Sequence, residues 1–376
     1  MSSAAAWHRA LWVCAIVLAG AAPASTQTVV EFDHGALARQ VLKHHIRPLY
    51  ASFADKADRF RLAVDSGCQR RDASDEGTIK MAFRELVLAW SRTEHLRFGP
   101  ITDKNRFERI MYWPDRQRIG ERQVAQILAK RDPKALDPAE LGQFSVTSQG
   151  LTALEIVLYG PSGKNLLSDT PEAEFACGYA RSIAGNVATL AEDIAAEWAG
   201  GGHFATLWLT PGDANPLYRQ AREVTIDVLK AYRNGINYAR ETKLLTSIGM
   251  KRASPGGPFA PKSQPPLDLS GHSLPSVIAN IEGVLDLYQR GGFADRLQAS
   301  DPQTAAFIKG KLETAIAMLA ALEPAGRAAF NDPANIRQIS VALAELSVVQ
   351  LEGAGDLATL VGMGGMVLGF SDSDGD

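Results

Sequence analysis

Gln149-Gly150-Leu151-Thr152-Ala153-Leu154-Glu155-Ile156-Val157-Leu158-Tyr159-Gly160 is an apolar run with one carboxylate set inside it. Leu151, Leu154, Leu158 and Tyr159 recur at three-, four- and one-residue intervals, which is the spacing of a helical core stripe. Thr152 and Glu155 stand three apart and share another face of the same helix. A carboxylate this close to a core stripe is seldom buried without a partner, so Glu155 is either a structural anion or part of a site.

The helical period extends in both directions from this run. Downstream, Gly160-Pro161-Ser162-Gly163 ends it, and Glu172 to Trp198 then carries the stripe Phe175, Tyr179, Ile183, Val187, Leu190, Ile194 and Trp198. Upstream, Leu37, Val41, Ile46, Leu49, Phe53, Ala57, Phe60 and Val64 fall at helical intervals, with a kink predicted at Pro48. Ile79, Phe83, Leu86, Val87 and Trp90 predict a second helix that stops near Gly99-Pro100, and shorter ones are predicted over 104–113 and 121–130. Asp137-Pro138 has the pattern of a cap followed by a first-turn proline.

Beyond Gly200-Gly201-Gly202 and Pro211-Gly212 the period resumes at Leu217, Ala221, Val224, Val228, Tyr232, Ile236 and Ala239. Residues 247–270 carry Pro255, Pro258, Pro261, Pro265 and Pro266 without a period, and they predict a long surface loop of the kind that covers a site. Helices are expected again from Ser273, over 304–322 and over 336–360. No strand run interrupts the series. The pattern predicts an all-α fold of roughly nine or ten helices in two helical-bundle halves, residues 25–205 and 206–376, related by internal duplication.

Residues 1–24 combine Arg9, the apolar run Leu11 to Ala21 and the small-residue site Ala22-Pro23-Ala24, which is the pattern of a cleaved export signal. The apolar run is about half of the roughly 20 residues a spanning helix needs, so no membrane span is expected after cleavage. Loss of Arg9 leaves 38 basic against 42 acidic side chains, a balance that gives no electrostatic reason to expect nucleic acid. Cys68 and Cys177 then remain, and an oxidising compartment allows them one disulfide, the alternative being two buried thiols. Closing a loop of about 110 residues would contribute on the order of 4 to 5 kcal/mol in the chain-entropy model.

The chain contains no H-E-x-x-H, no G-x-S-x-G and no complete phosphate loop, which removes several hydrolase and nucleotide-binding classes. Asp372, Asp374 and Asp376 resemble the start of a calcium loop that ends before its glutamate, and they are read as a solvated tail. Trp90, Glu94, His95, Arg97, Arg109, Tyr112, Trp113 and Asp115 form the segment densest in aromatic and ionisable groups. Its two readings are an aromatic satellite core and a pocket wall opposite Glu155, where an arginine would hold the carboxylate.

These motifs resemble the imelysin-like proteins. The resemblance rests on Trp90 with Arg97-Phe98-Gly99-Pro100, on Arg109-Ile110-Met111-Tyr112-Trp113-Pro114-Asp115, on Gln149 to Glu155, on Ser270-Gly271-His272-Ser273-Leu274 and on the ending 368–376. It implies an exported all-helical protein of the periplasm or cell envelope associated with iron uptake, in a family also classed as metallopeptidases. The family's G-x-H-x-x-E motif is matched at Gly150 and Glu155, but Thr152 takes the histidine's place. A threonine hydroxyl is a poor ligand, and a proteolytic zinc site needs three protein ligands and an open position.

The expectation is therefore a noncatalytic component of iron uptake, with no catalytic residue assigned. It would bind iron, another divalent metal or a small metal-bearing ligand between its halves, with envelope uptake proteins as partners. The pocket would comprise Trp90, Arg97, Arg109, Trp113, Asp115, Gly150, Thr152 and Glu155, with Glu155 as the metal ligand. The alternatives are a metallopeptidase of the same family, and an interaction module in which Glu155 pairs Arg97 or Arg109.

Overall fold

The computed structural model describes residues 32–115, 117–254 and 256–365, so the export signal and the acidic tail lie outside the described residues. Helix α1 (His34–Val41) starts at Asp33, whose carboxylate accepts from the Ala36 N–H at 2.7 Å. A π-helical turn, Leu42–Ile46, joins it to α2 (Arg47–Arg70). The irregularity predicted at Pro48 thus falls one turn earlier. Pro48 lies in the first turn of α2, directly after the π turn, where the Arg47 N–H donates to the Leu42 carbonyl.

α3 (Asp75–Thr93) packs against α2. The short α4 (Arg106–Ile110), α5 (Ile119–Lys130), α6 (Pro138–Leu141) and α7 (Leu151–Tyr159) lead to α8 (Pro171–Trp198), which also lies along α2. The stripe predicted on α8 is buried throughout, and each such large side chain contributes roughly 1.5–3 kcal/mol. Cys68 of α2 is bonded to Cys177 of α8 with their Cα atoms 5.7 Å apart, a separation ordinary for a disulfide.

α9 (His203–Leu209) precedes α10 (Ala221–Asn237), which opens on a capping box between Gln220 and Glu223 and runs into a second π turn, Tyr238–Leu245. α11 (Ser273–Arg290), α12 (Phe293–Ser300), α13 (Pro302–Ala320) and α14 (Pro333–Val348) follow. A third π turn, Val349–Gly353, separates α14 from α15 (Ala354–Leu360), so the single helix expected over 336–360 is interrupted. Among the described residues the fold is all-α, with an isolated β-bridge between Arg252 and Phe259.

α10, α11, α13 and α14 pack on one another, α3 lies against α11, and α1 packs on α10. The junction of α3, α11 and the second π turn is polar and buried. Lys243 Nζ donates to Glu94 Oε2 at 2.6 Å, Asn280 Nδ2 donates to the same oxygen at 2.7 Å, and all three side chains are buried. His45 Nε2 and His95 Nε2 meet nearby at 2.8 Å, with Asp286 on His45 Nδ1.

Candidate functional site

Glu155 is placed by the way α7 begins. A Cβ on Gly150 would lie 2.3 Å from the Ile110 carbonyl oxygen and 2.5 Å from that of Arg109, so only glycine lets α7 start against the end of α4. Side chains clamp the same entry. Arg109 donates to Gln149 Oε1 and to Asn186 Oδ1, each at 3.0 Å, and Asn186 Nδ2 donates to the Gln149 carbonyl at 3.0 Å. Leu151, Leu154 and Leu158 are then committed to the core, which leaves Thr152 and Glu155 on the wall of a cavity.

That cavity measures about 710 Å³. Its α7 side carries Thr152, Glu155 and Ile156, and a second side is the segment Tyr112, Trp113, Pro114 and Asp115, with a cis peptide between Trp113 and Pro114. The remainder is largely the Pro-rich stretch, from Lys251 to Leu269. The segment predicted as a loop is thus a wall. Leu267 within it adopts φ 56°, a left-handed conformation uncommon for a non-glycine residue, and its buried side chain holds it there.

Glu155 is 6 % exposed, and its Oε1 accepts from the Ser270 N–H at 2.8 Å and from Ser270 Oγ at 2.7 Å. Its Oε2 has no hydrogen bond among the described residues. Burial pushes the carboxyl up to about 7; the two Ser270 bonds and the Arg327 charge oppose that, and nearby Asp268 adds to it. Arg327 is itself held by Asp268, through Nε at 3.0 Å and Nη2. His272 stands beside Tyr159 and Phe83 at ring distances of 6.0 and 6.1 Å, its Nε2 is buried without a partner, and burial lowers it to about 4.

Of the residues singled out in the sequence, Thr152, Glu155, Trp113 and Asp115 line this cavity together. Gly150 and Arg109 lie behind it and set the position of α7. Trp90 and Arg97 do not line the cavity. Trp90 packs against Phe53 and Phe107 at 5.3 and 5.1 Å, and the Arg97 guanidinium lies between Phe107 and Tyr238 at 3.6 and 4.5 Å. The partner of Glu155 is Ser270, and neither Arg97 nor Arg109 bonds to it. Sequence reasoning missed Ser270, Asp268 and Arg327 as site residues, although Ser270 opens a motif that carried the family resemblance.

Among the described residues no group of three or more His, Cys, Asp or Glu side chains is placed to hold a metal ion. At the motif itself, Thr152 Oγ1 is buried without a hydrogen-bond partner. Glu155 therefore supplies a single carboxylate, and a metal held here would need donor atoms from another source.

The family model described as Imelysin matches residues 46–350. No curated protein matches the chain. Among solved structures, an imelysin-like protein from Psychrobacter arcticum 273-4 superposes with a TM-score of 0.71 at 19 % identity, covering 90 % of this chain and 100 % of that one. A protein from Parabacteroides distasonis ATCC 8503, described as an iron-regulated protein A precursor, gives a TM-score of 0.69 at 14 % identity over 87 % of this chain and 95 % of its own. At these identities the likeness is one of fold.

Proposed function

The chain belongs to the imelysin family, and on that premise we propose that it is an exported, noncatalytic cell-envelope protein that takes a small metal-bearing molecule into the cavity beside Glu155 as a component of metal uptake. The observation that carries this is Glu155: a buried carboxyl on a cavity wall, one oxygen fixed by Ser270 and the other without a protein partner. The volume, about 710 Å³, falls within the roughly 300–1,000 Å³ of small-molecule sites. A complex that brings its own donor atoms suits a wall whose acidic side chains are not grouped to hold a metal better than a bare ion does.

The leader pattern of residues 1–24 and the Cys68–Cys177 disulfide support export. No helix among the described residues is long and apolar enough to cross a membrane. Iron as the metal is supported by the description of the Parabacteroides neighbour as iron-regulated. Thr152 leaves Glu155 without the imidazole of the family motif, so the proposal assigns no catalytic residue.

Isothermal titration of the purified protein with ferric chelates, beside Glu155→Gln, tests the assignment. Saturable binding weakened at least tenfold in the variant is expected. Equal affinity in both proteins, or no binding in either, would overturn it.

A further inference from the structure

The charges around the cavity divide by the company they keep. Each acidic side chain on its wall has a donor, an arginine for Asp268 and Glu121 and uncharged N–H or O–H groups for Asp115 and Glu155. Asp268 accepts from Arg327, Asp115 accepts the Ile119 and Gly120 N–H groups at 2.8 and 2.7 Å, Glu121 pairs with Arg118 at 2.5 Å, and Glu155 takes both bonds from Ser270. Two basic side chains on the same wall have only neutral partners. Lys262 Nζ donates to the Phe330 carbonyl at 2.9 Å and to Asn331 Oδ1 at 2.7 Å. Arg252 Nη1 donates to the Gly257 carbonyl at 2.8 Å, and its guanidinium lies over the Phe259 ring at 4.8 Å.

Neutral acceptors and a ring face orient a cation without cancelling its charge. The Pro-rich wall therefore carries two positive charges that no acidic partner cancels among the described residues, both on exposed side chains, while Asp268 and Glu121 are paired with arginines. A guanidinium is suited to a carboxylate through paired N–H donors, and an ammonium acts as a point charge beside it. Tyr112 and Trp113, which also line the cavity, offer aromatic surface for the body of a ligand.

We propose that the cavity selects an anionic, oxygen-rich ligand, a polycarboxylate or its metal complex, whose carboxylates are held by Arg252 and Lys262; this rests on the assignment of the cavity as the ligand site. A cationic chelate of similar size meets the same two charges and is disfavoured.

The experiment is a titration with two ferric complexes of opposite charge, ferric citrate and a cationic trihydroxamate chelate, at low and high salt. The proteins are wild type, Glu155→Gln, Arg252→Lys and the double variant Arg252→Gln/Lys262→Gln, each checked by thermal melting. Ferric citrate is expected to bind wild type at least tenfold more tightly than the cationic complex. The double variant should lose at least tenfold in ferric citrate affinity and most of its salt dependence, and Arg252→Lys should lose less than the double variant. Equal binding of both complexes, still weakened by Glu155→Gln, would overturn the anionic selection and leave the site standing, as would a double variant that binds ferric citrate like wild type. Binding of neither complex, or binding indifferent to Glu155→Gln, would overturn the site itself.

Discussion

Glu155 is a carboxyl that the fold holds near neutrality, and the sign of the consequence follows from linkage. Its value of about 7 lies above the ordinary 4.5, so the folded chain binds the proton more readily than the unfolded one between those values. The stabilisation from that proton is fully present below about pH 4.5 and gone above about pH 7, a change on the order of 3 kcal/mol. Glu155→Gln does not titrate, so its unfolding free energy relative to wild type is expected to move in the variant's favour by about 3 kcal/mol between pH 4 and pH 8. Urea melts at both pH values measure this, and equal differences at the two would refute the raised value. His272 has the opposite sign: held down at about 4, it contributes stability above its ordinary 6.5 and loses it as pH falls. The two groups partly cancel in wild type, which makes the variant difference the informative readout.

At the scale of elements, the junction of α3, α11 and the Tyr238–Leu245 π turn sets how the helices on either side meet. Lys243 and Glu94 are buried there as an ion pair, with Asn280 on the same carboxylate oxygen. Lys243→Met removes one charge and leaves Glu94 buried without it, and a loss of about 3–5 kcal/mol in chemical denaturation is expected. Lys243→Met with Glu94→Gln should recover part of that loss, and a double variant no more stable than the single would show that the pairing is not the cause. The helices were legible because their apolar residues keep the 3.6 period, as on α8, where the stripe from Phe175 to Trp198 is buried as spaced. The π turns were not, since one extra residue per turn leaves that apolar pattern nearly intact. The site was legible only in part. Gly150, Thr152 and Glu155 stand in one motif, whereas Ser270 and Arg327 come to Glu155 by tertiary folding across more than a hundred positions, and no local pattern announces such a meeting. Trp90 and Arg97 misled because aromatic and basic side chains stacked in a core look, in sequence, like a pocket wall.

On the scale of the whole molecule, the Cys68–Cys177 bond closes a loop whose ends are 109 residues apart. The loop contains α3 to α7 and hence Glu155. Cys68→Ala/Cys177→Ala is expected to cost up to about 4–5 kcal/mol, seen as a lower denaturation midpoint that added reductant no longer shifts. A midpoint equal to that of wild type would show that packing of α2 on α8 suffices. The same bond leaves the Pro-rich wall and everything after it with no covalent tie to what precedes it except the backbone itself. A single proteolytic nick between the exposed residues Ala253 and Ser254 would thus yield two pieces, one holding Glu155 within its disulfide-closed loop, the other holding Arg252's partner ring, Lys262 and Ser270. Packing of α3 and of α10 on α11 should keep them together as a complementing pair that co-elutes in native buffer and separates in denaturant without reductant. The cavity beside Glu155 would then be lined by two chains, and any binding in it would report on their reassociation.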